Sequence, residues 1–311
     1  MWQNKMQAKL SVNIGKLKLK NPVMVASGTF GYAEEFKEFI NLKELGAIIT
    51  KTITLKPRQG NPPPRTCETP AGMLNSIGLE NPGLEVFIRE KIPLLKKIGI
   101  PIIVSIASED DPAEFIVLAK RLDKIKEVAA IELNISCPNI HKTELIAQDA
   151  CSTYTVVKSV RKATRKTIIT KLSPNVTDIA DIAKVAQQAG TDAISLVNTF
   201  YGMSININSR RPKLGSVVGG LSGPAIRPMA VRMVWEAYQK IKIPIIGMGG
   251  IMDVSSALEF LLAGATVISV GTANFINPGI TAEIIKGLKD YLIKHNYGTI
   301  TKLVGDIKCT T

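Results

Sequence analysis

Eight short apolar runs, each followed by a stretch of helical period, constrain this chain more tightly than any other feature of its sequence. The runs are VMVAS (23–27), AIIT (47–50), PIIVSIA (101–107), AAIELN (129–134), TIITKL (167–172), AISLVN (193–198), PIIGMGG (244–250) and VISVGT (267–272). Most are nearly continuous rather than alternating, the pattern of parallel strands buried on both faces. Between them lie helix signals. DPAEFIVLAKRLDKI (111–125) opens with Asp-Pro, an N-cap followed by proline at the first helical position. TDIADIAKVAQQAG (177–190) opens on a Thr N-cap and closes on Gly190, and DVSSALEFLLAGA (253–265) ends in the same way at Gly264. Eight strand–helix units in series predict an α/β fold, a closed (β/α)8 TIM barrel, with an open doubly wound sheet as the runner-up.

Three segments depart from the repeating unit. Residues 9–21 predict a β-hairpin ahead of the barrel. Residues 51–83 and 199–226 are long insertions after strands 2 and 6, at the strand C-termini where barrels build their active sites. No Pro/Gly/Ser-rich linker divides the chain, so 1–311 reads as one domain. No apolar run reaches the roughly 18 to 20 residues of a membrane span, and the polar start is too short for a signal peptide. A cytoplasmic location follows as the expectation. The four cysteines (67, 137, 151, 309) are scattered and form no C-x-x-C, which argues against a metal or iron–sulfur site within this chain. The net charge is +13, but the basic residues are spread out and not interleaved with aromatics. That favours a solvated basic surface, or an anionic small ligand, over nucleic acid.

Polar residues recur just after the apolar runs: Ser27, Lys51, Thr52, Asn134, Lys171, Asn198 and Thr199. Each alone has an ordinary explanation as a strand end or a cap; in a barrel all of them would converge on one rim. Glycine turns follow strands 7 and 8, in GMGGI (247–251) and GTANF (271–275), the usual place for phosphate in a barrel. Bare glycine lets backbone N–H groups approach phosphate oxygens closely. GGLSGP (219–224) could add a further contact. Met252 stands where a dinucleotide fingerprint starting at Gly247 needs glycine, so the pattern predicts a phosphate-bearing cofactor without a nicotinamide fold.

Nine motifs in consistent order carry a resemblance: ASGTFG, KT (51–52), NSIGLENPG (75–83), NISCPN (134–139), KLSPN (171–175), VNT (197–199), GGLSGPAIRP (219–228), IIGMGGI (245–251) and VGTA (270–273). Together they cover nearly the whole chain and resemble the dihydroorotate dehydrogenases, most closely the catalytic subunit of the class 1B enzymes. The resemblance implies FMN in a barrel that oxidises dihydroorotate to orotate in pyrimidine synthesis. It implies Cys137 as the base that takes a ring proton while hydride leaves for the flavin. It implies Lys51, Asn75, Ser76, Ile77, Gly78, Leu79, Asn134, Asn198 and Thr199 around the substrate. Around FMN it implies Ser27, Lys51, Thr52, Ser105, Asn134, Lys171, Val197, Gly223, Gly249, Gly250, Gly271 and Thr272. Asparagines suit the amide and urea edges of the substrate, and a lysine near the flavin ring, Lys171, would stabilise the reduced flavin. The class also implies a homodimer of this chain paired with a second subunit, which carries FAD and [2Fe–2S] and passes electrons to NAD.

Two positions depart from the family pattern. Ser105 stands where relatives often have asparagine, so that FMN contact is expected to be shorter or lost. The segment IHKTELIAQDACST after Cys137 lacks the glycines of many relatives, which puts its role as a flexible lid in doubt. Rival readings are a fumarate-dependent class 1A enzyme, a dihydropyrimidine dehydrogenase-like reductase, a tRNA dihydrouridine synthase and a non-catalytic flavin-binding barrel. The tRNA enzymes need a helical domain after the barrel, and only roughly 40 residues follow strand 8 here.

Overall fold

A computed structural model describes residues 8–108, 111–136 and 146–308. The hairpin ahead of the barrel is β1 (Val12–Ile14) and β2 (Leu17–Leu19), antiparallel about a turn in which Gly15 sits at φ +53. The barrel begins with β3 (Val23–Val25) and β4 (Ala47–Ile49). The first insertion then forms β5 (Thr66–Thr69) and β6 (Gly72–Asn75). Barrel strands β7 (Ile102–Ile106), β8 (Val128–Asn134), β9 (Thr167–Lys171) and β10 (Ala193–Leu196) follow. The second insertion contributes β11 (Phe200–Gly202), β12 (Ile205–Asn206), β13 (Arg211–Pro212) and β14 (Gly219–Ser222). The barrel closes with β15 (Ile245–Gly247) and β16 (Val267–Val270).

The eight barrel strands pair in parallel in the closed order β10-β15-β16-β3-β4-β7-β8-β9. This is the (β/α)8 barrel expected from the apolar runs, and the open sheet is excluded by closure. All the barrel strands are buried along nearly their whole length, which explains why they read as continuous apolar runs.

The helices bear out their local signals, with two shifts. Helix Ala113–Asp123 has Pro112 at its N-cap and not at its first helical position, with Asp111 Oδ1 accepting from Ala113 N at 2.8 Å. Helix Ile179–Ala189 is capped by Asp178, whose side chain accepts from Ala180 N and Asp181 N, and not by Thr177. An aspartate one residue later reaches the same orphan N–H groups with a charged acceptor, so it takes the cap. That helix ends on Gly190 at φ +101. Helix Val254–Ala263 begins in a capping box between Asp253 and Ser256 and ends on Gly264. Among the described residues no helix is long and apolar enough to cross a membrane.

The two insertions do not stand apart. They share a four-stranded antiparallel sheet, ordered β11-β14-β6-β5, above one end of the barrel. Gly220 pairs with Asn75 and Leu221 with Leu74 across it. Asn81 anchors the first insertion: it accepts from Thr54 N and Gly83 N and donates to Thr54 Oγ1 and Leu79 O.

Candidate active site

The strand C-termini and the shared sheet enclose one cavity, with about 1170 Å³ of space counted out to its open mouth. Each wall comes from a different strand end. Ser27 follows β3, Lys51 and Thr52 follow β4, and Asn134 and Lys171 end β8 and β9. Val197, Asn198 and Thr199 follow β10, where the Leu196–Val197 peptide is cis. Gly249 and Gly250 follow β15, and Gly271 and Thr272 follow β16. The roof is Asn75, Ile77, Gly78 and Leu79 from the first insertion and Gly223 from the second. Gly78 needs its missing side chain: at φ +71, a Cβ would lie 2.5 Å from the Asn61 amide.

Two of the expected residues do not line the cavity. Ser76 is fully buried and turned away, because Asn75 and Ile77 on either side face inward and side chains alternate along an extended segment. Ser105 is also fully buried and sits behind Thr52, with its Oγ 2.9 Å from Thr52 Oγ1. Its short side chain stops one residue short of the cavity. Cys137 lies outside the described residues, as do residues 140–145 of the glycine-poor segment after it; the rest of that segment forms a short turn, Ile146–Gln148, and the start of the helix Ala150–Ala163. The residue before Cys137, Ser136, is buried and held at two of its oxygens by one nitrogen: Asn198 Nδ2 donates to Ser136 O at 3.1 Å and to Ser136 Oγ at 3.0 Å.

A hydrogen-bonded set holds the polar wall in place. Asn134 Nδ2 donates to Thr52 Oγ1 at 3.1 Å, and Ser136 Oγ donates to Asn134 Oδ1 at 3.3 Å. Asn198 Oδ1 accepts from Thr199 N at 2.8 Å, and Asn175 Nδ2 donates to Thr199 O at 3.1 Å. Lys171, only 5% exposed, reaches Ser27 Oγ at 3.4 Å. Among the described residues the cavity is lined by two lysines and by no carboxylate, so its field is positive and suits anionic ligands.

The glycine turns close one end of the cavity. Gly223, Gly249 and Gly250 all adopt φ between +77 and +122, a region that side chains rarely enter. A Cβ on Gly250 would lie 2.8 Å from Gly223 O, and a Cβ on Gly223 would lie 2.7 Å from Gly72 Cα. These turns therefore pack backbone against backbone. Gly271 differs: a Cβ there would meet only Ala26, at 3.8 Å, and would take up space that bare backbone leaves to a ligand. Residues present thus fit a phosphate-bearing group bound through main-chain N–H.

Several lining residues were missed in the sequence. Thr66 and Met73 come from β5 and β6, whose place over the rim depends on the shared sheet. Ser222 was overlooked inside GGLSGP, although it ties the turns together: Thr272 Oγ1 donates to Ser222 Oγ at 2.8 Å. Met248, Ile251, Met252 and Phe275 are apolar lining residues with no polar signature to flag them.

A family model described as dihydroorotate dehydrogenase matches residues 9–292. The chain belongs to the dihydroorotate dehydrogenase family. Among its relatives in that family, a protein of Trichlorobacter lovleyi named dihydroorotate dehydrogenase B (NAD(+)), catalytic subunit, is 50% identical over 304 residues, 97% of this chain and 100% of the relative. A Desulforudis audaxviator protein of the same name is 52% identical over 301 residues, 96% of this chain and 98% of its own. One from Thermoanaerobacter pseudethanolicus is 50% identical over 300 residues, 96% and 99% of the two chains.

Proposed function

We propose that this chain is the catalytic subunit of an NAD-linked dihydroorotate dehydrogenase, which binds FMN in the rim cavity and oxidises (S)-dihydroorotate to orotate for pyrimidine synthesis. The observation that carries this is convergence: apart from Ser76, Ser105 and the undescribed Cys137, the residues expected from sequence to hold flavin and substrate meet in one positively charged cavity free of carboxylates among the described residues. Orotate carries a carboxylate and FMN a phosphate, so both suit that field.

The substrate loses a proton from one ring carbon and a hydride from its neighbour. Bound FMN supplies the hydride acceptor. The chain supplies the rest. Gly223, Gly249, Gly250, Gly271 and Thr272 would take the phosphate through N–H and hydroxyl groups. Lys171, Ser27, Thr52 and Val197 would hold the ring system, with Ser105 supporting Thr52 from behind. Asn75, Asn134, Asn198 and Thr199 offer the paired donors and acceptors that the amide and urea edges need. Lys51 would face the carboxylate, and Ile77, Gly78 and Leu79 would close over the ring and keep water out. Cys137 would take the proton, and it would do so as a thiolate.

The two electrons would leave through a partner subunit carrying FAD and [2Fe–2S], with NAD as the final acceptor, in an assembly built on a dimer of this chain. The reading treats residues 1–311 as one FMN-binding domain acting in the cytoplasm. Anaerobic addition of dihydroorotate to the purified yellow protein tests it: the flavin absorbance bleaches. Bleaching by dihydrouracil and not by dihydroorotate would replace it with a dihydropyrimidine reductase. Turnover with fumarate by this chain alone would replace the NAD-linked route.

A further inference from the structure

Beneath the cavity lies an acid that the proposed chemistry does not use. Glu132, on β8, is fully buried. Its Oε1 accepts from Ser105 Oγ at 2.8 Å, while Oε2 has no hydrogen-bond partner among the described residues. Burying such a group is costly, and simple packing would be better served by an apolar side chain. From Ser105 the contacts continue upward. Ser105 Oγ is 2.9 Å from Thr52 Oγ1, and Asn134 Nδ2 is 3.1 Å from the same Thr52 oxygen. The far side of the Asn134 amide meets Ser136 Oγ at 3.3 Å and Asn198 Nδ2 at 3.5 Å. An unbroken line of hydrogen bonds therefore joins the buried acid to an amide on the cavity wall.

Counting protons fixes the direction of that line. A hydroxyl has one proton to give. Ser105 gives its proton to Glu132, so between Ser105 and Thr52 it is Thr52 that donates. Thr52 then has only lone pairs to offer Asn134. Asn134 is held with its nitrogen toward Thr52 and its oxygen toward Ser136 and Asn198, and its second N–H remains for a ligand. Without the acid, Ser105 can turn its proton to Thr52, and Thr52 can turn its own to Asn134. The flipped amide then donates to Ser136 Oγ, gives up only the long 3.5 Å contact from the Asn198 Nδ2 donor, and shows the cavity an acceptor instead of a donor.

We infer that Glu132 is a positioning residue: acting through Ser105 and Thr52, it locks Asn134 as a hydrogen-bond donor to the bound substrate. This rests on the proposed function, in which Asn134 meets the pyrimidine ring.

The test is orotate affinity of the flavin-loaded full chain, read from the change in flavin absorbance on titration. Glu132→Leu and Ser105→Ala should each weaken binding about tenfold, the loss of one oriented hydrogen bond. The double variant should be no weaker than either single one, because both break the same line. Glu132→Gln keeps an acceptor facing Ser105 and should stay within about threefold of wild type. Unchanged affinity in Ser105→Ala or Glu132→Leu, or a roughly hundredfold loss in the double variant, overturns the inference. Should Glu132→Leu fail to fold, Ser105→Ala and Glu132→Gln decide, the first required to weaken binding and the second to keep it. Wild-type protein that does not bind orotate refutes the proposed function itself, and the inference falls with it.

Discussion

Alanine at Gly250 and at Gly271 should injure this protein in two different ways. Gly250 sits at φ +77, where a side chain costs about 1–2 kcal/mol. Its new Cβ would also lie 2.7 Å from Arg227 Cβ and 2.8 Å from Gly223 O, and overpacking of this kind costs about 1–3 kcal/mol. The sum is about 2–5 kcal/mol. At about 2 °C per kcal/mol for a chain of this size, the melting temperature should fall by roughly 4–10 °C. Gly271 carries no such strain, and its Cβ would find only Ala26, at 3.8 Å. Gly271→Ala should therefore melt within about 1 °C of wild type, the usual result of a substitution that creates no clash. The added methyl would instead stand where backbone must approach the ligand, and the FMN dissociation constant should rise at least about tenfold. Thermal unfolding of the flavin-free protein and titration by quenching of flavin fluorescence separate the two effects. A Gly271→Ala protein that melts as low as Gly250→Ala, or that binds FMN like wild type, would refute the assignment of this turn to the phosphate end.

Cys137→Ser should slow flavin reduction by dihydroorotate by roughly 10²–10⁴ at neutral pH, measured by stopped-flow absorbance; an unchanged rate removes Cys137 as the base. Asp253 accepts from Ser256 N and from Ser256 Oγ, both at 2.7 Å, and those bonds hold its carboxyl below the usual range. A carboxyl with a depressed folded-state pKa stabilises above its unfolded value near 3.9 and loses that contribution as pH falls through the folded one. Asp253→Ala should cost about 1 kcal/mol at pH 7, and the urea midpoints of variant and wild type should converge below about pH 4. Phe260 is fully buried on helix Val254–Ala263 and packs over Gly247, so Phe260→Ala should cost about 3–5 kcal/mol in denaturant unfolding.

The barrel was legible because its signals are local. A strand buried on both faces must be apolar throughout, and seven of the eight runs contain their strand, while the run 129–134 begins one residue after the start of β8. Caps were legible for the same reason, and Thr177 was preferred to Asp178 only because two adjacent residues offered the same chemistry. The rim residues could be grouped because a parallel barrel brings all strand C-termini to one end, whatever the details of packing.

Other features required contacts between distant parts of the chain. Nothing within residues 51–83 or 199–226 announces that β6 and β14 pair, since Asn75 and Gly220 become neighbours only when both insertions fold over the same rim. That pairing puts Thr66 and Met73 on the cavity wall. Ser76 and Ser105 looked like their neighbours in sequence, but a side chain's target depends on which way the backbone turns it and on how far it reaches. Alternation points Ser76 away, and Ser105 stops at Thr52. Glu132 stood unremarked inside an apolar strand, and its link to Asn134 exists only where β4, β7 and β8 lie side by side. Periodicity and capping act within a few residues and so can be read along the chain; pairing register and hydrogen-bond direction depend on neighbours that folding alone supplies.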